Sequence, residues 1–413
     1  MRLAYLTGRY PTISHTFILQ EVRALRARGI EVDTFSIWRT DAAELVASAD
    51  REEAARTFSV LPLRPLTVFS AHAIALARSP SGYLAALRLS LHLAVPGVRG
   101  RLLGVSWFVE AITLWQKMAR RRVTHVHAHL NGTAPIVALV IAHFGRSTGL
   151  PWTWSMTVHG PSEFYDVARE RLPRKVREAT FVVAISDFAR SQLLGLVDVE
   201  HHAKIHVVHC GIDLAVFDAG PRSDPTAEAA DWPLHILSVS RLTRVKGHAV
   251  LLGAMAQLVD EGAQVRATFV GDGPTREALE DLAVELGVAG RVRFTGAVGH
   301  DVIRAHYAAA DVFCLTSFAE GVPVVLMEAM AMGIPVVASQ VMGVGELVED
   351  GESGILLRPA RPDLVADALR RLQASPELRR RMGAAGQAAV RGEFDVHDSA
   401  RQLAQLFSAY TAH

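Results

Sequence analysis

The chain has 413 residues, enough for two or three domains, and half of them are hydrophobic, enough for large cores. Its 43 basic and 42 acidic residues leave a formal charge of +1, which argues against a dedicated nucleic-acid binder, whose domain pI usually exceeds about 9. Cys210 and Cys314 stand in apolar surroundings and read as buried thiols of a reducing compartment, not as a disulfide framework.

The chain enters a strand pattern at Arg2 without a signal-peptide layout, and no run of 18 or more apolar residues occurs. A soluble, cytoplasmic protein without a transmembrane helix is therefore expected. Strand Arg2–Gly8, helix His15–Arg28 closed by Gly29, and strand Glu31–Ile37 open the chain. Residues 41–122 are less regular, with helical stretches rich in Ala, Leu and Arg. Alternation resumes with strand His125–Leu130, helix Thr133–Phe144, strands Trp152–His159 and Phe181–Ser186, helix Asp187–Leu196 and strand Lys204–Cys210. A polar, proline-containing stretch, Pro221–Pro233, reads as an interdomain linker.

Beyond it the pattern is more regular. Strand His235–Ser240, helix His248–Glu261, strand Arg266–Val270, a helix ending at Gly287, strand Val292–Thr295, helix Asp301–Ala309 and strand Asp311–Thr316 follow in turn. Strands alternating with helices of ten to fifteen residues mean parallel, doubly wound sheets, here two of them. Ligands belong outside the carboxyl ends of such strands. Residues 1–220 are predicted to form one such domain and 221–395 the other. The last helix, Ser399–Tyr410, is apolar on one face (Leu403, Leu406, Phe407); with residues 396–413 it is expected to pack back on the first domain.

The most informative stretch is Glu320-Gly-Val-Pro-Val-Val-Leu-Met-Glu328. Glu320 falls in a loop at a strand's carboxyl end. Pro323 takes a first-helical-position slot, Glu328 lies in the helix, and Gly333 caps it. Free N–H groups at a helix start hold anions, and carboxylates beside them accept hydrogen bonds from hydroxyls. Phosphate plus polyol describes a nucleotide sugar. The plainer reading makes Glu320 a dipole-favouring carboxylate and Glu328 a solvated helix residue. A second signal lies at Arg241 and Lys246, two cations at a strand-to-helix turn that suit a diphosphate. An ordinary basic loop is the alternative.

Arg241…Lys246-Gly247, Phe269-Val-Gly-Asp-Gly-Pro274, Glu320-x7-Glu328 and Gly333-Ile-Pro-Val-Val-Ala338, in this order and spacing, resemble family 4 of the retaining glycosyltransferases. The match spans residues 235–358. Tyr10-Pro-Thr-Ile-Ser-His-Thr-Phe-Ile18 resembles the signature of bacterial exopolysaccharide transferases of the colanic-acid and amylovoran type, with His15 where that signature usually has Glu. The resemblance implies the GT-B fold, two Rossmann-like domains facing a cleft. Arg241 and Lys246 would neutralise the donor diphosphate, and Glu320 would hold donor-sugar hydroxyls. Gly321, Val322, Pro323 and Val324 would line sugar and phosphate, Glu328 would grip the ribose, and Gly271, Gly296 and Val298 would lie near the nucleotide. His159 would face the reaction centre from the N-terminal domain. His15, His127 and His129 would stand on the acceptor side.

Other signals weigh less. His125, His127 and His129 share one strand face, which could hold a metal, but no Asp-x-Asp motif suits a metal-bridged diphosphate, and no metal or cofactor is expected. Gly271-Asp-Gly273 lacks the third glycine of a dinucleotide fingerprint. Lys117, Arg120, Arg121 and Arg122 follow the amphipathic stretch Trp107–Trp115, which reads either as a core-facing helix or as peripheral contact with an anionic membrane. The chain is thus expected to be a metal-independent, retaining hexosyltransferase using a nucleotide diphosphate sugar, UDP ahead of GDP, and a saccharide or glycoconjugate acceptor. A nucleotide-sugar 2-epimerase and a non-catalytic sugar-nucleotide-binding subunit are the alternatives.

Overall fold

The computed structural model of the chain describes residues 1–12, 15–45, 47–130, 132–217 and 234–411, without the side chains of residues 43, 162, 300 and 301. The stretch 221–233 read as a linker lies outside them. The chain divides into two compact units: unit 1 is Met1–His209 with Ser399–His413, and unit 2 is Cys210–Asp398. Among the described residues no helix is long and apolar enough to cross a membrane.

Unit 1 runs β1 (Arg2–Arg9), α1 (Thr16–Ala27), β2 (Glu31–Trp38), α2 (Ser48–Arg56), β3 (Phe58–Leu61), α3 (Pro65–Arg78), α4 (Pro80–Leu93), α5 (Val98–Arg120), β4 (His125–His129), α6 (Thr133–Arg146), β5 (Thr153–Val158), α7 (Leu172–Glu178), β6 (Val182–Ala184), α8 (Asp187–Leu194) and β7 (Ile205–Val207). Its seven strands are parallel in the order β3-β2-β1-β4-β5-β6-β7. Strand order reverses between β1 and β4, the switch point where a crevice opens at the carboxyl ends.

Local chemistry explains the elements. In α1, Ile18, Val22 and Leu25 recur at helical spacing and are buried. Gly29, at φ +81°, ends that helix as Ile30 N–H returns to Leu25 O at 3.2 Å. The irregular reading of residues 41–122 resolves into α2, β3 and three helices. Strand β3 escapes sequence patterning because it has four residues and pairs only with β2. Helices α3 and α4 each open on a proline. The amphipathic Trp107–Trp115 stretch lies in α5 and faces the core: Phe108, Trp115 and Met118 are buried. Lys117 sits over the Phe58 ring at 5.2 Å, and Arg121 pairs with Asp33 at 2.9 Å.

Unit 2 runs α9 (Leu214–Phe217), β8 (Leu234–Val239), α10 (His248–Asp260), β9 (Val265–Val270), α11 (Arg276–Glu285), β10 (Val292–Gly296), α12 (His300–Ala308), β11 (Val312–Leu315), α13 (Val324–Ala331), β12 (Val336–Ser339), α14 (Val344–Leu347), β13 (Gly354–Leu357), α15 (Pro362–Ala374) and α16 (Pro376–Glu393). Its six strands are parallel in the order β10-β9-β8-β11-β12-β13, with the switch point between β8 and β11. Both sheet faces are covered, as the near-continuous apolar strands require. Phe313 and Leu315 enter one core with Leu326 and Met330; Val312 and Cys314 enter the other with Leu251 and Met255. Both cysteines are buried and neither forms a disulfide, and burial pushes the Cys314 thiol up to about 12.

The final helix, α17 (Val396–Thr411), joins unit 1 from Ser399 onward. Phe407 lies 5.2 Å from the His127 ring and 5.6 Å from Phe181, and Tyr410 Oη meets His206 Nε2 at 3.0 Å.

Candidate functional site

In unit 2 the charged residues of the sequence pattern collect at the switch point. Arg241 follows β8 and is exposed; among the described residues it has no ion-pair partner. The turn after it brings Lys246 against Glu320, which follows β11: Nζ donates to Oε1 at 2.6 Å. The two side chains are 19% and 9% exposed, so water screens the pair only weakly. An ammonium has three donors, so this contact leaves two for a ligand.

Backbone contacts hold the two loops together. Phe318 N–H donates to Val245 O at 2.8 Å, and Thr316 Oγ1 to Gly247 O at 2.9 Å. Gly247 is required there: its φ is +63°, and a Cβ would overlap Thr316 O. The Gly-Asp-Gly loop after β9 closes the other side. Gly271, at φ +140°, donates to Gly296 O at 2.9 Å, and a Cβ on it would overlap Ser240 O. Gly271 and Gly296 are thus neighbours, and Val298 beyond them packs on the unit's core.

Helix α13 begins at Val324. Pro323 is its N-cap, one place earlier than the first helical position expected. The N–H groups of Val324 and Val325 lack intrahelical partners and carry the positive end of the helix dipole, while Leu326 N–H turns back to Pro323 O at 3.0 Å. Gly321 and Val324 are half-buried, Val322 and Pro323 buried. Glu328 is buried one turn further on and accepts Tyr307 Oη–H at 2.7 Å. Burial raises its carboxyl to about 7, and the Tyr307 hydrogen bond opposes that shift. His248, which opens α10, meets Ser240 Oγ at 2.8 Å, and burial lowers it to about 4.

Unit 1 holds the histidines. His125 touches Thr153 Oγ1 (2.7 Å) and Ser155 Oγ (2.8 Å); His127 touches Ser155 Oγ (2.7 Å) and Thr157 Oγ1 (2.8 Å). His129 Nδ1 meets His159 Nε2 at 2.9 Å. This polar ladder between β4 and β5 is buried. Desolvation holds His125 down to about 3, and holds His127 and His159 well below the ordinary range, with neighbouring histidines adding to both. The His159 N–H donates to Glu163 at 2.9 Å, and the Phe17 ring lies 4.7 Å from its imidazole. His15, at the start of α1, stands 5.9 Å from Phe17. Thus His15 and His159 flank Phe17, His129 stacks on His159, and His127 is fully buried beside His129.

Glu21, His127 and His129 could hold a metal by position, since their ligand atoms lie within 4.8 Å of one another. Yet both His127 nitrogens already bond hydroxyls, and Glu21 Oε1 accepts Tyr5 Oη–H at 2.7 Å. His129 Nε2 approaches that same oxygen at 3.3 Å without the alignment of a hydrogen bond. Coordination there would give up bonds the protein already makes.

Comparison with known proteins agrees with this geometry. The sequence model described as "Glycosyltransferase Family 4" matches residues 14–216, and "Glycosyl transferases group 1" matches 225–389. The putative colanic acid biosynthesis glycosyltransferase WcaL of Escherichia coli is 30% identical over 382 residues, covering 86% of this chain and 87% of that one. The chain belongs to glycosyltransferase family 4.

Among other relatives, the amylovoran biosynthesis glycosyltransferase AmsK of Erwinia amylovora is 28% identical, covering 98% of this chain and 99% of that one. HepE of Anabaena, solved in complex with UDP, shares the fold with a TM-score of 0.72 at 21% identity, covering 99% of this chain and 100% of that one. The fold is GT-B, and the chain is a glycosyltransferase. Several residues around the family 4 pattern carry no motif of their own. Tyr307 lies on a helix with no special spacing and Tyr5 reads as an ordinary strand position, while Glu21 falls in the N-terminal pattern that runs on from Ile18 to Gly29 without a role of its own. Only the fold puts them against Glu328 and His129.

Proposed function

We propose that this transferase moves a hexose from a nucleotide diphosphate sugar, a UDP-sugar ahead of a GDP-sugar, to a hydroxyl of a saccharide, lipid-linked glycan or other glycoconjugate. It retains the anomeric configuration and needs no metal ion. The observation that carries the reading is the Lys246–Glu320 contact beside the start of α13: cation, carboxylate and helix amides meet at one place. In the reaction the anomeric C–O bond breaks and its electron pair passes to the diphosphate. Arg241, Lys246 and the first amides of α13 stabilise that growing charge without reorganising. The acceptor oxygen attacks the same sugar face, and its proton goes to the departing phosphate oxygen. Glu320 holds sugar hydroxyls and Glu328 the ribose, with Gly271, Gly296 and Val298 at the nucleotide. His159 is assigned to the sugar, and His15 and His129 to the acceptor side.

Support for a nucleotide donor comes from HepE, which was also solved with UDP-glucose. Support for polysaccharide assembly comes from the relatives named for colanic acid and amylovoran biosynthesis. For peripheral contact with an anionic membrane we favour the surface of α3 and the start of α5 over residues 107–122. Leu66, Phe69 and Leu102 are exposed there, and no Asp or Glu occurs from residue 54 to 109. The test of the central reading is incubation with UDP- and GDP-hexoses, read by proton NMR with and without EDTA. The product should keep the donor's anomeric configuration and the rate should survive EDTA. An inverted product rejects retention, and a magnesium-reversible loss rejects the metal-free mechanism.

A further inference from the structure

Unit 1 carries a second concentration of charge that the donor chemistry does not use. A cavity of about 1080 Å³ runs beside β3 at the edge of the sheet, from the turn that precedes β3 to the carboxyl ends of β1, β2 and β3, and is lined by six arginines: Arg9, Arg39, Arg51, Arg56, Arg64 and Arg121. Each comes from a defined place. Arg9 ends β1, Arg39 follows β2, Arg51 and Arg56 lie on α2, Arg64 precedes α3, and Arg121 follows α5. Asp41 is the one acidic residue of the lining, so six positive charges face one negative charge, in a chain whose formal net charge is only +1. Carboxylates outside the cavity pair with two of the arginines, Glu44 with Arg9 (3.5 Å) and Asp33 with Arg121 (2.9 Å). Among the described residues, Arg39, Arg56 and Arg64 have no ion-pair partner.

Tyr10 and Thr40 also line the cavity, and among the described residues their hydroxyls, which are themselves closed to solvent, have no hydrogen-bond partner. Buried polar groups are nearly always paired, and leaving one unpaired costs about 1–3 kcal/mol. Gathered like charges also destabilise a fold. Guanidinium forks match phosphoryl and carboxylate oxygens two at a time, and hydroxyls add donors to the same groups.

We propose that this cavity is an anion subsite for the acceptor, which carries a diphosphate or closely spaced acidic groups. The assignment rests on the glycosyltransferase reading for the word acceptor, but the binding itself does not. The cavity is too large for one phosphate, and its charge comes from several elements, which suits a ligand with more than one anionic centre.

Calorimetric titration of the full chain tests this, with UDP present at saturation so that the donor region is occupied. Inorganic pyrophosphate and a short oligogalacturonate are the two probes. At least one should bind, and its affinity should fall as salt is raised. Tighter pyrophosphate binding identifies a diphosphate-linked acceptor; tighter oligogalacturonate binding identifies an acidic glycan. The triple variant R39Q/R56Q/R64Q, all at exposed positions, should weaken the bound probe at least tenfold and leave UDP affinity within twofold. If neither probe binds while UDP does, or if the triple variant binds both unchanged, the subsite is rejected and the donor assignment stands. Failure of UDP to bind would count instead against the proposed donor.

Discussion

Replacing Lys246 by Met separates the two roles of its ammonium, because the stem is kept and only the charge is lost. Glu320 would then hold an uncompensated carboxylate on a side chain 9% exposed. Breaking a buried pair from one side costs about 3–5 kcal/mol; Lys246 itself is 19% exposed, so water offsets part of this and about 2–3 kcal/mol is expected. Urea unfolding of unit 2 reads that loss. Catalysis loses a preorganised cation where diphosphate charge grows, which costs about 10²–10³ in kcat. Adding Glu320→Gln removes the stranded charge. The double variant should regain stability with a coupling of about 1–2 kcal/mol, yet its kcat/KM should stay at least a hundredfold down. If Lys246→Met keeps turnover within threefold, or if the double variant recovers turnover along with stability, Lys246 serves only to neutralise Glu320 and the diphosphate assignment falls.

Three further outcomes follow from the same geometry. Gly271→Ala places a Cβ against Ser240 O at a φ of +140°; a loss of about 3 kcal/mol, or roughly 6–12 °C in the melting temperature of unit 2, is expected, and a shift under 2 °C would contradict the packing. Glu328, raised to about 7 by burial, should accept ribose hydroxyls better once ionised, so UDP affinity should improve several-fold from pH 6 to pH 8. Glu328→Gln should flatten that profile beyond the titration of UDP itself, and identical profiles would remove Glu328 from the ribose. The ladder histidines set acid stability: the unfolded chain takes up protons near pH 6.5 that buried His125, His127 and His159 exclude. Their contribution is complete above about pH 6.5 and is lost as pH falls below it, by at most about 1.4 kcal/mol per pH unit for each histidine. Urea melts of unit 1 at pH 7.5, 6 and 5 should show the decline; equal stabilities would mean the ladder is charged or open to water.

Much of the architecture is legible in the residues because its signals are local. Apolar runs such as Val336–Ser339 mark strands buried on both faces, and glycines such as Gly29 and Gly333 mark helix ends by their left-handed backbone. Strand β3 is not legible, since four residues with a single neighbour carry no period. The stretch Trp107–Trp115 has the composition of a membrane-contacting helix and that of a core helix alike; only packing places Phe108 and Trp115 inside.

The linear chain settles two doubly wound sheets and the order of the charged family 4 pattern, because periodicity and turn chemistry act over a few residues. What it leaves undecided is which distant groups meet. Lys246 and Glu320 are 74 positions apart and His129 and His159 are 30 apart, yet each pair is in contact. The six arginines of the unit 1 cavity come from between residues 9 and 121 and share no motif. Parallel crossovers bring Lys246 beside Glu320 and His129 beside His159 at the carboxyl ends of neighbouring strands, and the pairing, desolvation and shifted protonation that follow belong to that arrangement alone.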